Sequence, residues 1–182
     1  MAPFYTTDGD LGETGYLGKE RISKSSLRIE AVGSVDEASA AVGLARALCV
    51  DRKSQSILVA IQKHLYILMS ELSASPETAS NFDKLDSSYV NWLEAQIQEL
   101  EDVIEMPRAF ILPGSTPASG ALALARTIVR RAERRAVAAL EGGLIEKQLL
   151  ITYLNRLSSL LFVLELYEAG ISGQEIQLTK ET

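Results

Sequence analysis

An all-α fold of five helices in a single domain is what this sequence predicts, and three observations carry it. Apolar residues recur at three- and four-residue spacing along five segments, and Ser, Gly and Pro stand at the boundaries where caps and turns belong. No stretch reads convincingly as a strand. At 182 residues, 47% hydrophobic and 23% charged, the chain is long enough to bury a sizeable core as one domain.

Residues 1–33 read as a loop. Gly9, Gly12, Gly15, Gly18 and Gly33 alternate there with Thr6, Thr7, Asp8, Asp10, Thr14, Lys19, Ser23 and Lys24. That much glycine lets backbone amides approach a phosphate closely. A Walker A loop does not fit, because Glu20 follows Gly18-Lys19 and Glu13 stands five residues before Gly18. A calcium loop starting at Asp8 fails as well, since its twelfth position is Lys19. A non-Walker nucleotide loop and an N-terminal arm without a ligand both remain open.

Residues 34–170 hold the helices. Ser34 is the expected N-cap of the first, with Glu37 completing a capping box, Asp36 in the first turn and an end near Cys49. Ile57, Ile61, Leu65, Leu68 and Leu72 mark a second helix over 52–73. After Pro76 and a polar run to Asp86, Tyr89, Leu93, Ile97, Leu100 and Ile104 mark a third over 87–104, with Trp92 at its edge. The segment from Pro107 to Pro117 is apolar and then turns at Pro113-Gly114; on local sequence alone Phe110 is a packing residue. The fourth helix covers 119–141 and stops at Gly142-Gly143. The fifth runs from Ile145 to Ala169, and Asn155 is a polar group needing a partner if it faces inward. The tail, 171–182, is polar and expected to be loosely held.

The fourth helix carries five arginines, Arg126, Arg130, Arg131, Arg134 and Arg135, in a chain of net charge −6. On a helical wheel Leu122, Ala125, Val129, Ala132, Ala136 and Leu140 form the core stripe; Arg126, Arg130 and Glu133 border it, and Arg131 and Arg135 lie roughly opposite. Arginines four apart repel by a few tenths of a kcal/mol, so a nearby anion is expected. A polyphosphate suits the guanidinium fork; a solvated basic face is the alternative.

The remaining composition narrows the function. A net charge of −6 argues against non-specific binding to nucleic acid or an anionic membrane. No leader pattern opens the chain and no apolar run approaches a membrane span, so a soluble cytoplasmic protein is expected. The lone Cys49 fits a reducing compartment as core filler, and the lone His64 leaves no zinc constellation or catalytic triad and reads as a structural histidine.

Four motifs in order, YTTDGDLGETG, RISKSSLRIEAVGSVDEASAAVG, FILPGSTPASGALALARTIVRRAERR and YLNRLSSLLF, spread from residue 5 to about residue 167. In these the chain resembles the PduO-type ATP:cob(I)alamin adenosyltransferases. The resemblance implies a five-helix bundle assembled as a homotrimer, with sites between subunits. It also implies transfer of the 5'-deoxyadenosyl group from ATP, with Mg2+, to cobalt(I) of cob(I)alamin or a related corrinoid, releasing triphosphate. Thr6, Thr7, Gly9, Asp10, Gly12 and Thr14 would wrap ATP, with Lys24 and Arg130 on its phosphates and Glu133 and Asn155 close by. Arg126 and Asp36 would form a salt bridge across the subunit interface, and Phe110 would face the corrin. Arg130, Lys24, Asp36, Arg126 and Phe110 are thus the residues expected to carry catalysis, while the metal's protein ligands stay unassigned.

Cobalt(I) is itself a strong nucleophile, so positioning and charge neutralisation by Arg130, Lys24 and Mg2+ would suffice without a protein base. The resemblance also implies a cobalamin reductase or an adenosylcobalamin-dependent enzyme as partner. Thr7, Asp8, Ala123 and Ser159 depart from the family's pattern. The first two make the loop more negative, which predicts weaker ATP affinity or greater magnesium dependence. They also leave room for a second function, a helical trimer that binds ATP or corrinoid and delivers adenosylcobalamin with little transfer.

Overall fold

The computed structural model describes residue 5 and residues 7–179. Five long helices form it: α1 (Leu27–Leu48), α2 (Arg52–Ser73), α4 (Ser87–Glu101), α5 (Pro117–Glu141) and α6 (Leu149–Ile171), with one short turn, α3 (Ala79–Phe82). A two-stranded antiparallel hairpin, β1 (Glu13–Gly15) and β2 (Arg21–Ser23), precedes them, pairing Glu13 with Ser23 and Gly15 with Arg21. The N-terminal segment is thus more ordered than a bare loop.

Local chemistry sets each boundary. The Ser26 hydroxyl caps α1 by accepting from the Ile29 amide, so the helix starts two turns before the expected Ser34. Ser34 is buried inside α1 and donates to the Glu30 carbonyl at 2.7 Å, which occupies the hydroxyl that was read as a cap. Asp36 consequently sits in the third turn and not at a helix mouth. Asp51 caps α2 and Asp86 caps α4, while Thr116 and Ser119 close a reciprocal capping box on α5 with Pro117 at its first position. Helix α4 ends three residues earlier than expected, and α6 is displaced, starting at Leu149 and running through Gly170.

The helices pack in the order α2, α1, α5, α6, α4. Helix α6 is the spine: Leu150, Leu154, Leu157, Leu161 and Leu164 are all essentially buried against α4 and α5. It is long and apolar enough to cross a membrane, yet 67% of that stretch is buried inside the bundle, as befits a core helix. Truncating one of these leucines to alanine costs about 2–5 kcal/mol.

Two polar devices tie the ends together. The buried Arg28 guanidinium donates to the Leu72 carbonyl at 2.7 Å, to that of Ala74 at 2.6 Å, and to that of Leu144. It thereby caps α2 and the α5–α6 connection at once, and burial lowers its pKa. Lys147 bridges Glu71 at 2.8 Å and Asp83. His64 lies in an aromatic cage, edge-on to Tyr89 and Trp92, with Nδ1 3.1 Å from the Tyr153 hydroxyl. The expected structural histidine is what the fold contains.

Candidate functional site

The α5 arginines separate by partner. Arg131 pairs with Glu37, Arg135 lies 3.8 Å from Glu30, and Arg126 Nε lies 3.8 Å from the buried Glu165. Arg131 and Arg135, which lie opposite the core stripe, are exposed, and there they lace α5 to α1, whose carboxylates the antiparallel packing brings level with them. Arg130 and Arg134 are exposed and enter no ion pair among the described residues. One turn beyond Arg130, Glu133 accepts from the Asn155 amide of α6 at 3.0 Å. Asn155 points outward and is exposed, so its partner comes from α5 and not from the core. Three of the residues expected around the nucleotide, Arg130, Glu133 and Asn155, therefore share one side of the α5–α6 pair.

A second cluster forms at the hairpin. Successive turns link the Asp10 amide to the Thr7 carbonyl at 3.1 Å and the Gly12 amide to the Gly9 carbonyl at 3.2 Å. Gly12 has φ +85°, a left-handed conformation that L side chains rarely adopt. Lys24 closes the loop from both ends: its amide donates to the Gly12 carbonyl at 2.9 Å and its ammonium to the Gly9 carbonyl at 2.8 Å. Thr7, Asp10 and Lys24 are exposed and Thr14 half-buried on β1, while the proposed contact Thr6 lies outside the described residues. The hairpin is moored by Leu17, whose amide donates to the carbonyl of Ser73, the last residue of α2, and whose carbonyl accepts from the Ser75 amide just beyond it.

Phe110 marks a third location. It is 86% exposed, against the packing role its local sequence suggests. The tail that was expected to be loose holds its segment in place: the Thr179 amide donates to the Phe110 carbonyl at 2.8 Å, and the Leu112 amide to that of Gln177 at 2.8 Å. Asp36 is exposed on α1 and pairs with nothing in the chain among the described residues; Arg126 turns the other way, toward α6.

These clusters do not meet within one chain. The Arg131–Glu37 and Arg135–Glu30 pairs make α1 and α5 antiparallel, so Lys24, just before α1, lies at the C-terminal end of α5. Phe110 precedes its N-terminal end. The 25 residues of α5 separate those ends by about 37 Å.

Sequence reasoning missed Glu165 and Glu168, buried at 2% and 0% exposure on α6. The signal was present, since Glu165 follows Leu161 by four residues on the core-facing row. Glu168 accepts from the Val50 amide at 3.4 Å; burial of the Cys49 thiol, and then the charge of Glu168 beside it, push that thiol up to about 12. No group of three acidic, His or Cys residues among the described residues is placed to hold a resident metal ion.

Comparison with known proteins gives this geometry a lineage. Residues 4–168 match the family model for cobalamin adenosyltransferase. The corrinoid adenosyltransferase PduO of Salmonella typhimurium is 38% identical over 161 residues, covering 88% of this chain and 48% of its own, so the chain spans about half the length of that relative. A corrinoid adenosyltransferase of Mycobacterium leprae is 36% identical over 172 residues, with 90% of each covered. Among solved structures, a variant PduO-type ATP:corrinoid adenosyltransferase from Lactobacillus reuteri, complexed with cobalamin and ATP, superposes with a TM-score of 0.90 at 31% identity, covering 98% of this chain and 100% of that one. Helices, hairpin and arginine run thus all fall within a match that takes in nearly the whole chain, and the chain belongs to the cobalamin adenosyltransferase family.

Proposed function

We propose that the protein transfers the 5'-deoxyadenosyl group of ATP to cobalt(I) of a corrinoid, at sites completed between neighbouring subunits of a homotrimer. The observation that carries this reading is Arg130, which enters no ion pair among the described residues and stands one turn from the Glu133–Asn155 pair. Three of the five arginines on α5 have a carboxylate nearby in the chain, whereas Arg130, beside the Glu133–Asn155 pair, is left for an anion from outside. The distance of about 37 Å between the ends that carry Lys24 and Phe110 supports completion of each site by a second subunit.

In the reaction, cobalt(I) attacks C5', a cobalt–carbon bond forms, and the C5'–O bond breaks with its electron pair leaving on triphosphate. Arg130 would neutralise charge growing on that leaving group through two parallel N–H···O bonds. Lys24 would give up its contact with the Gly9 carbonyl to reach the phosphates, tightening the loop around the nucleotide. Phe110 would lie against the corrin face, favouring cobalt without a lower axial ligand. Glu133 fixes the Asn155 amide, and both would orient the nucleoside. A divalent magnesium ion fits as part of the nucleotide, held by phosphate oxygens and at most one or two carboxylates such as Asp8 or Asp10; when bound, it would neutralise phosphate charge. Asp36 would meet Arg126 of the partner subunit across the interface.

A cytoplasmic location and a supply of cobalt(I) by a reductase complete the proposal, and the buried free thiol of Cys49 supports a reducing compartment. Incubating the protein with ATP, magnesium and chemically reduced cobalamin, and following the spectrum of the adenosylated product, tests it. Product at catalytic turnover is expected. Retained binding of both substrates without product would instead favour a protein that delivers adenosylcobalamin.

A further inference from the structure

Glu165 lies on α6 between Leu164 and Leu166 at 2% exposure, where an ionised carboxylate loses most of its hydration. Burial raises its pKa and the nearby Arg126 draws it back. The compensation is incomplete: Glu165 Oε2 and Arg126 Nε stand 3.8 Å apart, and both atoms are buried without a hydrogen bond. A buried pair of that quality contributes little stability, and two apolar residues in place of both partners would serve the core as well. Its presence calls for another reason.

Two features locate that reason. The Arg126 guanidinium packs 5.8 Å from the Phe162 ring centroid, so α6 grips it by charge and by an aromatic face. Its outer N–H groups make no hydrogen bond among the described residues and remain open. The anchor also sits beneath the segment that displays Phe110, because Glu165 lines a crevice with Ile111, Leu112, Gly114 and Ser119.

We propose that Glu165 is a positioning residue for the corrinoid end of the site: it holds Arg126 from inside the bundle so that the outer edge of the guanidinium is presented to Asp36 of the partner subunit. Glu165 touches no substrate and acts through Arg126. The inference rests on the transferase reading above and on the interface role given there to Arg126.

The test is Glu165→Gln, which keeps the shape and removes the charge, in the full chain with ATP and cob(I)alamin as probes. The expected result is a corrinoid KM raised about tenfold with the ATP KM changed by less than about twofold. The thermal midpoint should fall by no more than a few degrees, because the half-buried Arg126 left without its counter-charge keeps its outer edge open to water. A lowered midpoint with an unchanged corrinoid KM would make Glu165 merely structural and overturn the proposal. In an Arg126→Ala background the Gln substitution should add nothing further to the corrinoid KM; an additive effect would show that it does not act through Arg126. If Arg126→Ala raises the corrinoid KM and Glu165→Gln does not, only the positioning role fails. If neither substitution moves it, the interface role of Arg126 fails too, and a wild-type chain without product would refute the transferase reading itself.

Discussion

Replacing Arg130 by alanine separates catalysis from folding more cleanly than any other change in this molecule. Its side chain is exposed and enters no ion pair among the described residues, so truncation removes no packing, and the stability change should stay within about 0.5 kcal/mol. Repulsion with Arg126 and Arg134, each four residues away, is relieved by a few tenths of a kcal/mol per pair, which favours a slightly higher thermal midpoint. In the reaction, by contrast, one charged donor aimed at a leaving group is worth about 3 kcal/mol or more, so kcat should fall by roughly two orders of magnitude or more. Arg130→Lys keeps the charge but loses the planar fork, and should recover only part of that loss. The assay is formation of adenosylated corrinoid from chemically reduced cobalamin at saturating ATP, run beside a thermal melt. Turnover within about threefold of wild type would refute the assignment of Arg130 to the triphosphate. A melt lowered by several degrees would refute the claim that it carries no structural duty.

Other consequences are equally accessible. Burial holds the His64 imidazole below its ordinary value of 6.5, so the unfolded chain takes up a proton at higher pH than the folded one. The stability due to neutral His64 is therefore intact above about pH 6.5 and is lost as pH falls; the advantage of wild type over His64→Gln in chemical denaturation should shrink between about pH 7 and pH 5. Cys49 is buried with its thiol pushed up to about 12, so native protein should react with a thiol reagent far more slowly than unfolded protein; rapid native labelling would contradict that burial. Gly12→Ala forces a β-carbon onto φ +85°, a strain of about 1–2 kcal/mol borne by the loop. It should raise the ATP KM about fivefold or more while leaving the melting of the bundle unchanged.

The helical core was legible because burial enforces the 3.6 period. Leu122, Ala125, Val129, Ala132, Ala136 and Leu140 were read as the core stripe of α5; the first five are fully buried, and Leu140, at the helix end, is half-buried. The start of α1 was misjudged: Ser34 with Glu37 has the pattern of a capping box, but the Ser26 hydroxyl caps the helix two turns earlier, and inside the helix the Ser34 hydroxyl is taken by the Glu30 carbonyl one turn back. The partners of Arg131 and Arg135 were not legible, since Glu37 and Glu30 lie about a hundred residues away and face them only because α1 and α5 pack antiparallel. The site was half legible. Motif order pointed to the residues expected to meet ATP, but no one-dimensional pattern could say that the ends carrying Lys24 and Phe110 would stand at opposite ends of α5. Strand pairing in the hairpin escaped because three-residue strands carry too few positions for alternation to register.

Mixing two inactive chains, Lys24→Ala and Arg130→Ala, tests the central claim most directly, under the proposal that Lys24 of one subunit and Arg130 of its neighbour serve the same nucleotide. If neighbouring subunits contribute the two halves, co-assembled trimers contain intact sites wherever the right copies adjoin, and random mixing at equal ratio should restore about a quarter of wild-type activity. A mixture, unfolded and refolded together so that subunits exchange, that stays as inactive as its components would contradict a site to which neighbouring subunits bring Lys24 and Arg130 separately.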